Sequence, residues 1–166
     1  AADVDAVAGS PDVSVSATSA RNPAPAARPE SVIDGDRRTT WSPAFDDPTP
    51  ELVLDYGRPV VVSEIGLRTS DGWSRRNNAL VRVRVGGQEF VRSIPPTGRV
   101  SIPPTRGDRL TMEFVASERS TILASMELAE VVVNGQAFTP PDAEWTGGCG
   151  LGPDVAINGE TVPTRI

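Results

Sequence analysis

The chain has 166 residues, 38% hydrophobic and 23% charged, which suits one domain with some tail and a core that needs no disulfide staples. A net charge of −6, with no basic stripe interleaved with aromatics, excludes nucleic acid as a partner. No apolar run approaches the roughly 18 residues of a membrane span, so this stretch inserts into no bilayer by itself.

Gly 15 and Pro 16 point to many turns and few long helices, hence to an all-β architecture. Ala1-Ala2-Asp3-Val4-Asp5 is acidic and lacks a charged-then-apolar leader pattern. Residues 1–10 therefore read as a linker, and the chain as a piece of something longer. Val13-Ser14-Val15-Ser16-Ala17 alternates as a first strand before Pro23 and Pro25 break it.

The run Asp34-Gly35-Asp36-Arg37-Arg38-Thr39-Thr40-Trp41 places hard oxygen donors on a sharply bent turn. Asp34 supplies a carboxylate, Gly35 a φ > 0 geometry, Asp36 a carbonyl, and Thr39 both hydroxyl and carbonyl. Such a turn can wrap Ca²⁺, with Trp41 anchoring it in a core. It is equally compatible with an Asx-type turn entering a strand. The ligand spacing and terminal Glu of an EF-hand are absent.

Leu52-Val53-Leu54-Asp55 reads as a strand ended by Tyr56-Gly57-Arg58-Pro59, and Val60 to Leu67 as another. A polar loop from Thr69 to Asn78 follows. Leu80-Val81-Arg82-Val83-Arg84-Val85 is the clearest alternating strand, turned by Gly86-Gly87 into Gln88-Glu89-Phe90-Val91-Arg92. Ser-Ile-Pro-Pro-Thr occurs twice, at 93–97 and 101–105; proline pairs suit a sheet edge or connecting loops. Arg106-Gly107-Asp108 is expected in a turn rather than as an adhesion motif. Leu110 to Val115 and Leu128 to Val133 complete the strands, with room for a helical turn between Ala116 and Ser125. Roughly seven or eight short strands at about 10-residue spacing indicate a β-sandwich.

After Ala137 the composition changes to a Pro- and Gly-rich stretch carrying Trp145 and the single Cys149, which has no internal partner. Trp145 is expected to clip the tail to the sandwich. Val155-Ala156-Ile157-Asn158-Gly159-Glu160 resembles one more strand and turn. The domain limits read as 11–138 for the sandwich and 139–166 for a linker and additional strand.

The chain contains no histidine, which removes Ser-His-Asp and Cys-His nucleophile systems and the usual zinc-hydroxide sites. No pair of carboxylates stands out for glycosidase chemistry, so no catalytic residue is assigned. For ligand binding the suggestive segment is Asp71 to Asn78. Trp73 could stack on a sugar face, while Arg75, Arg76, Asn77 and Asn78 present planar donors and acceptors to vicinal hydroxyls. The alternative is a solvated loop with Trp73 folded back on the core.

From Val13 to Gly135 the chain resembles the discoidin, or coagulation-factor-5/8 type C, family, a jelly-roll sandwich also used by many carbohydrate-binding modules. The carriers are Ser16-Ala17-Thr18-Ser19, Val32-Ile33-Asp34-Gly35-Asp36 through Thr39 to Trp41, Glu51 to Gly57, Ile65-Gly66-Leu67 and Leu128 to Val133. The resemblance implies a structural calcium ion joining the early Asp-Gly loop to the last strand. Its ligands would be the carbonyl of Ser31, the carboxylate of Asp34, the carbonyl of Asp36, both oxygens of Thr39, the carbonyl of Ala129 and the carboxylate of Glu130. Six or seven oxygens with two negative charges suit Ca²⁺ better than Mg²⁺.

A narrower set is similar to the extracytoplasmic region of actinobacterial α-(1→3)-arabinofuranosyltransferases, large membrane enzymes of cell-wall arabinan synthesis. It comprises the Lys-free composition, Trp41-Ser42-Pro43, Pro48-x-Pro50-Glu51-Leu52, and Cys149-Gly150-x-Gly152-Pro153 followed by Val155 to Gly159. This likeness implies a non-catalytic module on the extracytoplasmic side of a membrane-anchored parent, binding arabinan-type cell-wall glycan. The other expectation is a structural or protein-interaction sandwich that braces neighbouring domains of that parent without binding sugar.

Overall fold

The computed structural model describes residues 13–22, 24, 27–69, 79–116 and 126–138, with the backbone of 155–157 and 160–162. Among these residues the strands are β1 Ser14–Ala17, β2 Glu51–Thr69, β3 Ala79–Val85, β4 Gln88–Ser93, β5 Arg99–Ala116, β6 Leu128–Val133, β7 Gln136–Ala137, β8 Val155–Ile157 and β9 Glu160–Val162. A short 3-10 helix, Pro29–Ile33, precedes β2. All strand pairs are antiparallel. β8 and β9 form a separate hairpin.

Two long strands make the all-β jelly-roll sandwich. The first part of β2, Glu51 to Asp55, pairs with β1 and with residues 109–113 of β5; residues 110–116 of β5 pair with β3, and β3 with β4. The second part of β2, from Val60, pairs with residues 99–107 of β5 and with β6, which carries β7. β2 and β5 thus pass together from one layer into the other. Trp41, Leu52, Leu54, Ile65, Met112 and Phe114 are buried in the shared core.

The sequence pattern divides β2 into two strands and begins the later strand only at Leu110; the structure joins the first two and extends the other back to Arg99. Tyr56-Gly57-Arg58-Pro59 bends β2 without ending it: the register shifts between Asp55 and Val60, Gly57 takes φ 61°, and its N–H donates to Asp55 Oδ1 at 3.0 Å. Pro59 has no N–H to give and falls where the ladder is already interrupted. The same turn chemistry that ends a strand can also bulge it.

Proline placement follows the same rule. Pro95-Pro96 lies in a turn closed by Gly98 N–H to the Pro95 carbonyl at 2.8 Å. Pro103-Pro104 lies inside β5, where only β2 pairs with it, because β3 joins β5 from Leu110 onward. That half of β5 is a sheet edge, as proline requires. Arg106-Gly107-Asp108, expected in a turn, is also within β5, with Gly107 opposite Val60.

The β3–β4 hairpin forms as the alternation dictates. Ala79, Val81, Val83 and Val85 are buried, and Gly86 and Gly87 both take positive φ, 56° and 75°, as a type I′ turn needs. A second anchor comes from Asn134, just past β6. Its Oδ1 accepts the backbone N–H groups of Ser63 and Glu64 at 2.9 and 3.1 Å, and its Nδ2 donates to the Val61 carbonyl at 2.7 Å. These are the groups freed by the second register shift of β2, between Val62 and Glu64.

Candidate functional site: a clasp and the rim beside it

The clasp begins at the 3-10 helix, which starts on Pro29 and delivers Ser31 and Val32 into buried positions. Asp34 then closes a local turn, its Oδ1 accepting Asp36 N–H at 2.8 Å. The Thr39 hydroxyl oxygen lies 2.7 Å from both Asp34 Oδ2 and the Asp36 carbonyl oxygen. Three oxygens therefore converge from three residues. The Asp36 carboxylate turns the other way, gripped by Arg38 through Nε at 2.9 Å and Nη2 at 2.7 Å. These bonds from Arg38 lower its pKa to about 2.

Trp41 ties this loop to the start of β6. It exchanges both backbone hydrogen bonds with Leu128, at 2.9 and 2.8 Å, and its indole N–H donates to the Ser19 carbonyl at 2.9 Å. Its ring lies 6.1 Å from that of Phe114. Ala129 and Glu130 follow directly on β6. Glu130 is buried, and its Oε2 meets Arg68 Nη1 at 2.5 Å and Arg37 Nε at 3.5 Å. Arg68 is its partner across the β2–β6 ladder, and Arg37 reaches it from the loop.

Asp34 Oδ2, the Asp36 carbonyl and Thr39 Oγ1 are hard oxygens of the kind calcium takes, and here they are joined to one another by hydrogen bonds at 2.7 Å. Ser31 Oγ is buried without a hydrogen-bond partner beside the loop. Both arginines engage Glu130 at Oε2. Among the described residues no three acidic side chains gather at one point, so a calcium shell must rest largely on carbonyl and hydroxyl oxygens.

Beside the clasp lies a rim. β2 ends at Thr69, opposite Leu128; β3 begins at Ala79, opposite Ala116, where β5 ends; Phe114 N–H reaches the Pro50 carbonyl at 2.8 Å. The strand ends at Thr69, Ala79 and Ala116 and the described loop 42–50 thus lie at one end of the sandwich. Trp73, Arg75, Arg76, Asn77 and Asn78, together with Trp145 and Cys149, lie outside the described residues.

Sequence reasoning missed the best-defined part of this rim. Asp47 is its hub, accepting the hydroxyls of Ser19 and Thr18 at 2.5 and 2.7 Å and the Thr49 N–H at 3.2 Å. Burial pushes the Asp47 carboxyl up, but the bonds from Ser19, Thr18 and Thr49 outweigh it and leave its pKa lowered. Ser19 Oγ also accepts Ala44 N–H at 3.1 Å, and Arg21 N–H donates to the Ser42 carbonyl at 2.8 Å. On this frame Phe45 stands 73% exposed, with the Arg21 guanidinium 4.2 Å from its ring centroid. The available signal was a phenylalanine among Ser, Pro and Asp residues with no alternation to bury it.

A family model described as arabinofuranosyltransferase D, third carbohydrate binding module, matches residues 11–143. Three similar solved structures share the fold at low identity. One is CpGH89CBM32-5 from Clostridium perfringens, in complex with GalNAc-β-1,3-galactose: TM-score 0.53, 15% identity, 73% of this chain and 94% of that one. Another is the family 32 module of Clostridium perfringens NanJ with galactose: TM-score 0.52, 18% identity, 73% and 92% coverage. The third is chitosan-binding module 2 of a chitosanase/glucanase from Paenibacillus sp. IK-5, with chitotriose: TM-score 0.53, 13% identity, 77% and 98% coverage. No curated protein sequence matches the chain.

Proposed function

Since the chain belongs to the family of the third carbohydrate-binding module of arabinofuranosyltransferase D, we propose that its rim holds an arabinan-type cell-wall glycan and that calcium closes the clasp beside it. The family is one of binding modules, so this region is non-catalytic; glycosyl transfer would belong to a membrane-anchored parent, with the module on the extracytoplasmic side. The observation that carries the glycan reading is the strand register. It brings the end of β2 at Thr69, the start of β3 at Ala79, the clasp and the Phe45 loop to one end of the sandwich, where several short segments can meet one sugar chain.

Calcium in this reading is held by the carbonyls of Ser31, Asp36 and Ala129, the carboxylates of Asp34 and Glu130, and both oxygens of Thr39. It supplies charge that ties the loop to β6, with no part in bond making. The support is the convergence of Asp34 Oδ2, Thr39 Oγ1 and the Asp36 carbonyl. Titration with arabinofuranose oligosaccharides, with calcium present, tests the binding role. We expect saturable binding in the micromolar to millimolar range, and silence at millimolar ligand would remove arabinan as the partner.

A further inference from the structure

We infer that Phe45, backed by Arg21, is a preformed sugar-stacking subsite that takes the C–H face of a pentofuranose residue; this rests on the glycan-binding reading above. The ring is 73% exposed although Arg21 stacks on it at 4.2 Å, so the opposite face is open. The guanidinium is well inside the roughly 6 Å range of cation–π attraction. Nε and Nη2 of Arg21 are shielded and have no hydrogen-bond partner, and no ion pair holds the side chain among the described residues. The contact with Phe45 is the one interaction of the guanidinium that the described residues show.

The loop that presents the pair is rigid for identifiable reasons. Asp47 collects Thr18, Ser19 and Thr49, Ser19 holds Ala44, and Ser42 holds Arg21. An aromatic fixed in advance loses little freedom when a ligand arrives. A five-membered sugar ring offers a small apolar C–H face that one phenyl ring can cover, with its hydroxyls at the edge left to solvent and neighbouring polar groups. The scale also separates ligand classes. Protein or membrane contact sites expose contiguous apolar patches of several hundred Å². Among the described residues the other large exposed apolar side chain is Val91, which lies on β4, opposite Arg82, away from this loop. One aromatic and one cation suit a single sugar residue better than a protein or a bilayer.

The test is calorimetric titration of the 166-residue chain with arabinofuranose oligosaccharides, for the wild type and for Phe45→Ala, Phe45→Trp, Arg21→Ala and Trp73→Ala. Phe45→Ala should weaken binding by roughly tenfold, Phe45→Trp should keep it, and Arg21→Ala should weaken it less. Wild-type affinity in Phe45→Ala, with loss of binding in Trp73→Ala, overturns the subsite while leaving the glycan reading intact. Absence of binding in the wild type overturns both. Sedimentation with anionic phospholipid vesicles provides the remaining arm. Vesicle binding that depends on Phe45, with sugar binding unchanged in Phe45→Ala, makes the partner a membrane and overturns the proposal.

Discussion

Trp41 and Phe45 are four positions apart, yet Trp41 is 0% exposed and Phe45 is 73% exposed. The difference lies in what holds the backbone. Trp41 is locked by a two-way pairing with Leu128, which points its ring inward at Phe114. From Ser42 to Thr49 no strand pairing is assigned, and hydrogen bonds between Ser19 and Asp47, from Ala44 to Ser19 and from Arg21 to Ser42 set the path instead. Ladder pairing assigns side chains to a face; side-chain hydrogen bonding fixes a loop while leaving its side chains free to point outward. One continuous segment thus serves the core at one end and the solvent at the other.

The strongest break in this contrast is Trp41→Ala. It empties a buried site in contact with Phe114 and should lower stability by about 3–5 kcal/mol, read by chemical denaturation. A loss below about 1 kcal/mol would mean that the clasp does not depend on its aromatic anchor. Calcium removal comes next. A ligand bound only to the folded state at 100 to 1,000 times its Kd adds about 2.7–4.1 kcal/mol, so chelation should lower the Tm by several degrees. Glu130→Gln should abolish that response. An equal drop in wild type and Glu130→Gln would place any metal elsewhere.

Legibility in the sequence followed the same division. Alternation at residues 80–85 gave strand and buried face together, because period-two patterning is how a half-buried strand must be written. Trp41 was readable as an anchor because a large aromatic after a tight turn has few places to go except the core. The continuity of β2 through Tyr56 to Pro59, and of β5 through two prolines, was hidden because bulge and terminator use the same residues. The Arg37 and Arg68 contacts to Glu130 were hidden because they depend on the β2–β6 register and on the loop's path. Phe45 was overlooked because a lone aromatic in a polar loop has no periodicity to mark it.

Asp47 gives a smaller, pH-dependent separation of the two regions. Its lowered folded-state pKa means that its bonds stabilise the rim fully above the ordinary carboxylate value of 3.8. That contribution is lost as pH falls below 3.8 and through the folded value, since the folded protein must then take up a proton. The melting difference between wild type and Asp47→Asn should be present at pH 7 and should shrink as pH falls below 3.8. A difference constant across that window would show that the carboxylate charge is irrelevant to the loop.

The smallest expected effect on stability is the most diagnostic. Phe45→Ala removes a ring that is mostly in water, and its cation–π contact with Arg21 is worth about 0.5–1 kcal/mol at an exposed site. The melt should therefore move by no more than that, while Trp41→Ala moves it several-fold further. A Phe45→Ala variant as unstable as Trp41→Ala would mean that the ring covers the core, and its exposure would have no functional meaning. A near-silent melt together with weakened sugar binding would assign the fold to Trp41 and recognition to Phe45, within one nine-residue stretch between Trp41 and Thr49.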